Sequence, residues 1–79
     1  MVRFTISAQV ADDILLRILN HFAQRGLCPS RVQAVRVGDT MIIDIEQPRL
    51  DEQAASIIQE KMRNCIDVAT VAVTRLDEP

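Results

Sequence analysis

One side chain in this chain of 79 residues titrates near neutrality: His21 is the sole histidine and the only good general-base candidate. It stands one position before Phe22 in an apolar-periodic stretch, where a packed or partly exposed helix residue accounts for it more simply. Ser7 and Ser30 have no evident base partner, so no nucleophile–base pair can be assembled from the pattern. Cys28 and Cys65 form no CxxC, and one histidine with two distant cysteines is a poor zinc set. Each cysteine is therefore read as a buried structural thiol. Asp44 and Glu46 lie at i, i+2 on one strand face. Such carboxylates can do acid–base work or hold a cation, but a solvated sheet face explains them without either. Asp12-Asp13 has the same two readings, with a helix cap as the simpler one. Gly26 and Gly38 are the only glycines, so there is no phosphate-cradling loop. No catalytic residue, metal site or cofactor site emerges, and the chain is expected not to be an enzyme in its own right.

Bulk properties narrow the class further. Apolar residues are 48% of the chain and charged residues 25%, which excludes disorder. The two Phe are the only aromatics, so the core must be aliphatic. A formal net charge of −2 gives no general attraction to nucleic acid or anionic lipid. Eight of the nine basic residues are Arg, which codon bias explains most simply and which contacts at a protein interface would also favour. The N-terminus has no long apolar region with a cleavage pattern, and no apolar run approaches the roughly 20 residues that span a bilayer. A cytoplasmic protein with reduced thiols, no membrane partner and no nucleic-acid partner is expected.

The elements follow from two periodicities. Val2, Phe4, Ile6, Ala8 and Val10 alternate with polar residues, as in a strand with one buried face. Ile14, Leu15, Ile18, Leu19 and Phe22 form the stripe of an amphipathic helix, with Asp12 and Asp13 at its N-terminus and Arg25-Gly26 at its end. Pro29 bars its continuation. Arg31 to Val37 and Thr40 to Gln47 read as a hairpin around Gly38-Asp39. In that register Val32, Ala34, Met41, Ile43 and Ile45 share one face, and Gln33, Val35, Val37, Ile42, Asp44 and Glu46 the other. Pro48 ends the strand. Asp51 is the expected N-cap of a second helix with Ala54, Ile58, Met62 and Cys65 as its inner stripe. Ile66 to Arg75 is the last strand, with Ala69, Val71 and Val73 on one face.

The fold class is therefore α+β, a βαββαβ sandwich in which two helices cover one face of a four-stranded antiparallel sheet. This is the ferredoxin-like arrangement, and right-handed crossovers give the strand order 4-1-3-2. The domain spans 2–76, with 77–79 as a frayed tail. Cys28 and Cys65 fall at opposite ends of the sheet, about 15–20 Å apart, too far for an intramolecular disulfide. RNA-recognition domains of this topology stack bases on aromatics of the central strands. Here strand 3 has none and Phe4 faces the helices. Metal-carrying domains need a CxxC in the first loop, and Gln9-Val10-Ala11-Asp12 lacks it. On the open face, Val35, Val37 and Ile42 sit together beside the exposed edge strand 2. They mark an association surface or are only β-forming residues on a plain one, and a homodimer through strand 2 is the expectation.

The stretch Leu16-Arg17-Ile18-Leu19-Asn20-His21-Phe22-Ala23-Gln24-Arg25-Gly26, the later Cys65-Ile66-Asp67-Val68-Ala69-Thr70-Val71 and the element order together resemble ACT domains. More narrowly they resemble the small, regulatory subunit of acetolactate synthase in its short single-domain form, over about residues 2–75. The resemblance implies a chain with no active site and no cofactor of its own. Its partner would be the large catalytic subunit, which carries thiamine diphosphate, magnesium and FAD. There it would raise activity in the first common step of branched-chain amino acid biosynthesis. A free-standing ACT-type sensor of a small molecule such as an amino acid is the alternative. Valine-binding members place Asn and Gly between strand 1 and helix 1 and another Asn after the Arg-Gly. The corresponding positions here are Val10, Asp13 and Cys28. With Asp12 these form a degenerate effector loop, and tight valine binding is not expected.

Overall fold

The computed structural model describes residues 1–76; the tail at 77–79 lies outside the described residues. The element order is β1 (Val2–Gln9), α1 (Ile14–Ala23), β2 (Arg31–Val37), β3 (Thr40–Gln47), α2 (Glu52–Arg63) and β4 (Val68–Arg75). The strands form one antiparallel sheet in the order β2-β3-β1-β4, the expected order read from its other edge. Central β1 shows the period-2 rule in full: Val2, Phe4, Ile6 and Ala8 are all buried against the helices. Above them lie Ile14, Ile18 and Phe22 of α1 and Ala55, Ile58 and Met62 of α2. The two aromatics meet edge to face, with ring centroids 5.3 Å apart. Such a pair adds about 0.5–1.5 kcal/mol to its area burial.

The chain punctuates its elements where the residues require it. Gly26 takes φ +70°, and its N–H donates to the Ala23 carbonyl while that of Leu27 donates to Phe22. That paired closure satisfies carbonyls orphaned at the end of α1, and it needs a left-handed residue after Arg25. Gly38 at φ +61° opens the β2–β3 turn, and Asp39 after it stays at ordinary φ, as a type II′ hairpin demands. Asp51 caps α2 by accepting the Ala54 N–H at 2.7 Å. No described helix is long and apolar enough to cross a membrane.

Several expectations are corrected. Asp13 holds the N-cap position of α1 but makes no cap hydrogen bond, because its carboxylate turns to Arg17. Ala55, rather than Ala54, is the buried alanine of α2, and Cys65 lies beyond the helix end, half-buried. The last strand begins at Val68, since Asp67 turns the chain at φ +77° and Ile66 stands in solvent. A bulge follows: Ser7 pairs with Thr70 but Ala8 with Val68. Val68 therefore takes the inner place that alternation gave to Ala69, which is exposed.

The largest departure is at the sheet edges. The register puts Val32 opposite Ile45 and Ala34 opposite Ile43, on the helix side as expected. Yet every residue of β2 is exposed on both faces, Val32 at 42%. The helices cover β3, β1 and β4 and leave β2 bare: the buried core takes side chains from those three strands and none from β2. The β4 edge is treated differently. Gln59 of α2 donates to the outward carbonyl of Val71 at 2.9 Å, Arg75 pairs with Glu52, and the bulge breaks the strand's regularity. These are the devices by which sheets blunt an edge, and β2 has neither a bulge nor a helix over it.

Candidate functional site

Three turns meet at the end of the sheet where β1 finishes. The Gln9 N–H donates to Asp67 O at 2.7 Å, and the Val10 N–H to Asp39 O at 2.9 Å. The β1–α1 loop, the β2–β3 turn and the α2–β4 turn are thereby laced together. Between them opens a shallow cleft of about 450 Å³ lined by Ser7, Gln9, Asp39, Thr40, Asp67 and Ala69. The bulge that expels Ala69 helps shape it. Hydroxyls, an amide and two carboxylates suit a small polar ligand with hydrogen-bond donors.

The expected effector residues divide in this geometry. Val10, Asp12 and Asp13 share the loop at the cleft end, with Val10 half-buried and both aspartates exposed. Cys28 lies past the other end of α1, whose ten residues span about 15 Å. It is exposed rather than buried, and its sulfur meets only Pro29 O at 3.9 Å. The Gly26 turn leads the chain outward to the uncovered β2, which leaves that thiol in solvent. Within one chain, Cys28 cannot complete a site with the other three.

Arg17 organises the same end. Its Nη1 donates to Ile66 O and its Nη2 to an Asp67 carboxylate oxygen, both at 2.9 Å, and its Nε lies 3.2 Å from Asp13 Oδ1. Asp67 foremost, with Asp13, raises the guanidinium above its ordinary proton affinity against the opposing effect of desolvation. One turn along α1, His21 Nε2 approaches Cys65 Sγ at 2.9 Å. Burial lowers the imidazole below its ordinary value, and the charge of Lys61 lowers it further. Sequence reasoning missed both contacts. The available signal was that Arg17 and Asp67 sit in the two separate segments that carry the family resemblance, and these segments touch.

The paired carboxylates on the open face are engaged separately. Thr5 donates to Asp44 at 2.8 Å, and Arg3 pairs with Glu46 at 2.8 Å. Each carboxylate thus serves a cross-strand contact with β1. Farther up, Val35 lies opposite Ile42 and Val37 opposite Thr40, the two valines being 46% and 63% exposed. The two-residue turn closes on the Val37–Thr40 pair, so Arg31, Gln33, Val35 and Val37 bond to β3 through their backbones. The backbone groups of Val32, Ala34 and Arg36 consequently point away from the sheet.

A family model described as an ACT-like domain matches residues 1–79. No curated protein matches the chain. Among solved structures, the ACT domain of the GTP pyrophosphokinase of Chlorobium tepidum superposes with a TM-score of 0.77. The match covers 92% of this chain and 95% of that one at 9% identity, a likeness of fold alone. The shared architecture is the βαββαβ sandwich with two helices on one face.

Proposed function

The chain belongs to the ACT-like domain family, whose role is regulatory ligand binding rather than catalysis, and we propose that it is a cytoplasmic accessory subunit of an acetolactate synthase. In this reading it binds the large catalytic subunit and raises its activity. The observation that carries it is the bare sheet at β2, which leaves Val32 exposed on one face and Val35 and Val37 on the other. A strand so presented is an association surface. The narrower family assignment is supported by the segments around Arg17 and Asp67, which carry the resemblance and are joined by that ion pair. We further propose that two copies pair through β2, with Val35, Val37 and Ile42 beside the seam.

Valine is not expected to bind tightly at the β1–α1 loop. Val10 presents no hydrogen-bonding side chain, Asp13 sets a carboxylate at the start of α1 and is engaged by Arg17, and Cys28 lies at the far end of the helix. Leaving two polar ligand groups unpaired, at about 1–3 kcal/mol each, weakens binding by orders of magnitude.

The test is a titration of large-subunit activity with this chain. The expected result is no turnover of pyruvate by the chain alone and a saturable rise in acetolactate formation by the large subunit. An unchanged rate and cofactor affinity over a saturating range would overturn the accessory role. Amino-acid binding without any effect on a large subunit would favour a free-standing sensor instead. Calorimetry with valine addresses the loop: a micromolar dissociation constant abolished by Asp13→Ala would contradict the reading given.

A further inference from the structure

We propose that Cys65 is a reactive thiol served by His21 as general base, and that a small hydroperoxide oxidises the chain there. The two side chains come from elements 44 residues apart, yet His21 Nε2 lies 2.9 Å from Cys65 Sγ. That is hydrogen-bond distance for a sulfur partner and within reach for proton transfer. The imidazole has no competing partner among the described residues, since its Nδ1 is buried and unbonded. With its proton on Nδ1, the ring offers the Nε2 lone pair to the thiol. Among the described residues, the other acceptor the sulfur meets is the Lys61 carbonyl, at 3.6 Å.

The surroundings keep the ring in its basic form. Desolvation and the Lys61 ammonium both disfavour imidazolium, so His21 is neutral at pH 7. The charged groups around the pair are Lys61 on α2, Arg17 one turn before His21 on α1, and Asp67 in the following turn, held by Arg17. Cys65 is half-buried rather than sealed, so a small molecule can reach the sulfur. Cys28 supplies an internal contrast: it is more exposed and has no base beside it.

The step balances within the pair and one hydrogen peroxide. The thiol proton passes to His21 Nε2 as the sulfur attacks a peroxide oxygen. An S–O bond forms and the O–O bond breaks. The departing hydroxide takes the proton back from Nε2 as water. The thiol is oxidised to a sulfenic acid and the peroxide is reduced to water. The new S–OH group adds bulk and a hydrogen-bond donor beside His21 and the α2–β4 turn. Asp67, two residues on, lines the cleft and grips Arg17, which places Cys65 beside the candidate ligand-binding end.

The experiment treats the full chain with hydrogen peroxide at pH 7, traps sulfenic acid with dimedone, and reads both cysteine peptides by mass spectrometry. Cys65 is expected to trap about tenfold faster than Cys28 or more, despite its lower exposure, a modest return for general-base assistance. His21→Gln should bring Cys65 to the Cys28 rate or below and leave Cys28 unchanged. Equal or faster trapping at Cys28 in the unsubstituted chain would overturn the proposal without recourse to any variant. A Cys65 rate unaltered or raised by His21→Gln would overturn it equally.

Discussion

Asp67 carries two demands that pull against each other. Its carboxylate anchors Arg17, while its backbone sits at φ +77°, a region that side chains other than Gly, Asn and Asp rarely enter. Asp67→Ala and Asp67→Gly both remove the carboxylate, but only the alanine retains the conformational cost of about 1 kcal/mol or more. The glycine variant is therefore expected to be the more stable of the two by about that amount in urea unfolding, and the reverse order would show the backbone to be unstrained. His21 makes a demand of a different kind, on pH. Its proton affinity in the folded chain lies below the ordinary value of 6.5. Between the two values the unfolded chain binds more protons, so stability rises with pH through that window and falls as acid is added. Unfolding free energy should decline from pH 7 to below 6.5, and His21→Gln should remove that part of the slope. An identical decline in the variant would assign the effect to other groups.

β2 divides its residues between two tasks. Val35 bonds to β3 through its backbone, whereas Ala34 directs its N–H outward. Ala34→Pro removes a donor that the single chain does not use. It is expected to leave the fold intact while preventing strand pairing between copies. Val35→Pro removes a donor bonded to β3 and should destabilise the chain itself. Circular dichroism with size-exclusion chromatography separates the two outcomes, and a folded Ala34→Pro dimer would rule out pairing through this edge. At this scale the sequence is most readable, because side-chain alternation and helical spacing are local. Val2, Phe4, Ile6 and Ala8, with Ile14, Ile18 and Phe22, can be placed in the core from their neighbours alone. The bulge opposite Ser7 and Ala8 cannot be seen that way, since Val68 and Ala69 are both apolar and either could take the inner place. Nor can the bareness of β2, which depends on where α1 settles. Where it settles brings Arg17 to Asp67 and His21 to Cys65, contacts made 50 and 44 residues apart. For the same reason Val10, Asp12 and Asp13 could be grouped in advance, being neighbours in the chain, while Asp39 and Asp67, which line the cleft as those three do not, came together only through folding.

The molecule as a whole is a slab of 36 × 25 × 18 Å with its sheet forming one broad face. Light scattering at tens of micromolar is expected to give twice the 8.9 kDa of a single chain. A seam of backbone bonds and valines should hold at high salt, because little of it is subject to ionic screening. The mass of a single chain under those conditions would exclude pairing of two copies. What the unequal margins of the sheet imply for growth is separate from what they imply for affinity. A slab receptive on both sides would add copies without end and become a ribbon. In the proposed pairing of two copies, the first union would use up the receptive edge of each. Both outer margins of the product are then β4, closed by Gln59, the bulge and the Arg75–Glu52 pair. On that pairing, assembly would stop at two because of α2 and β4, elements that take no part in the union itself.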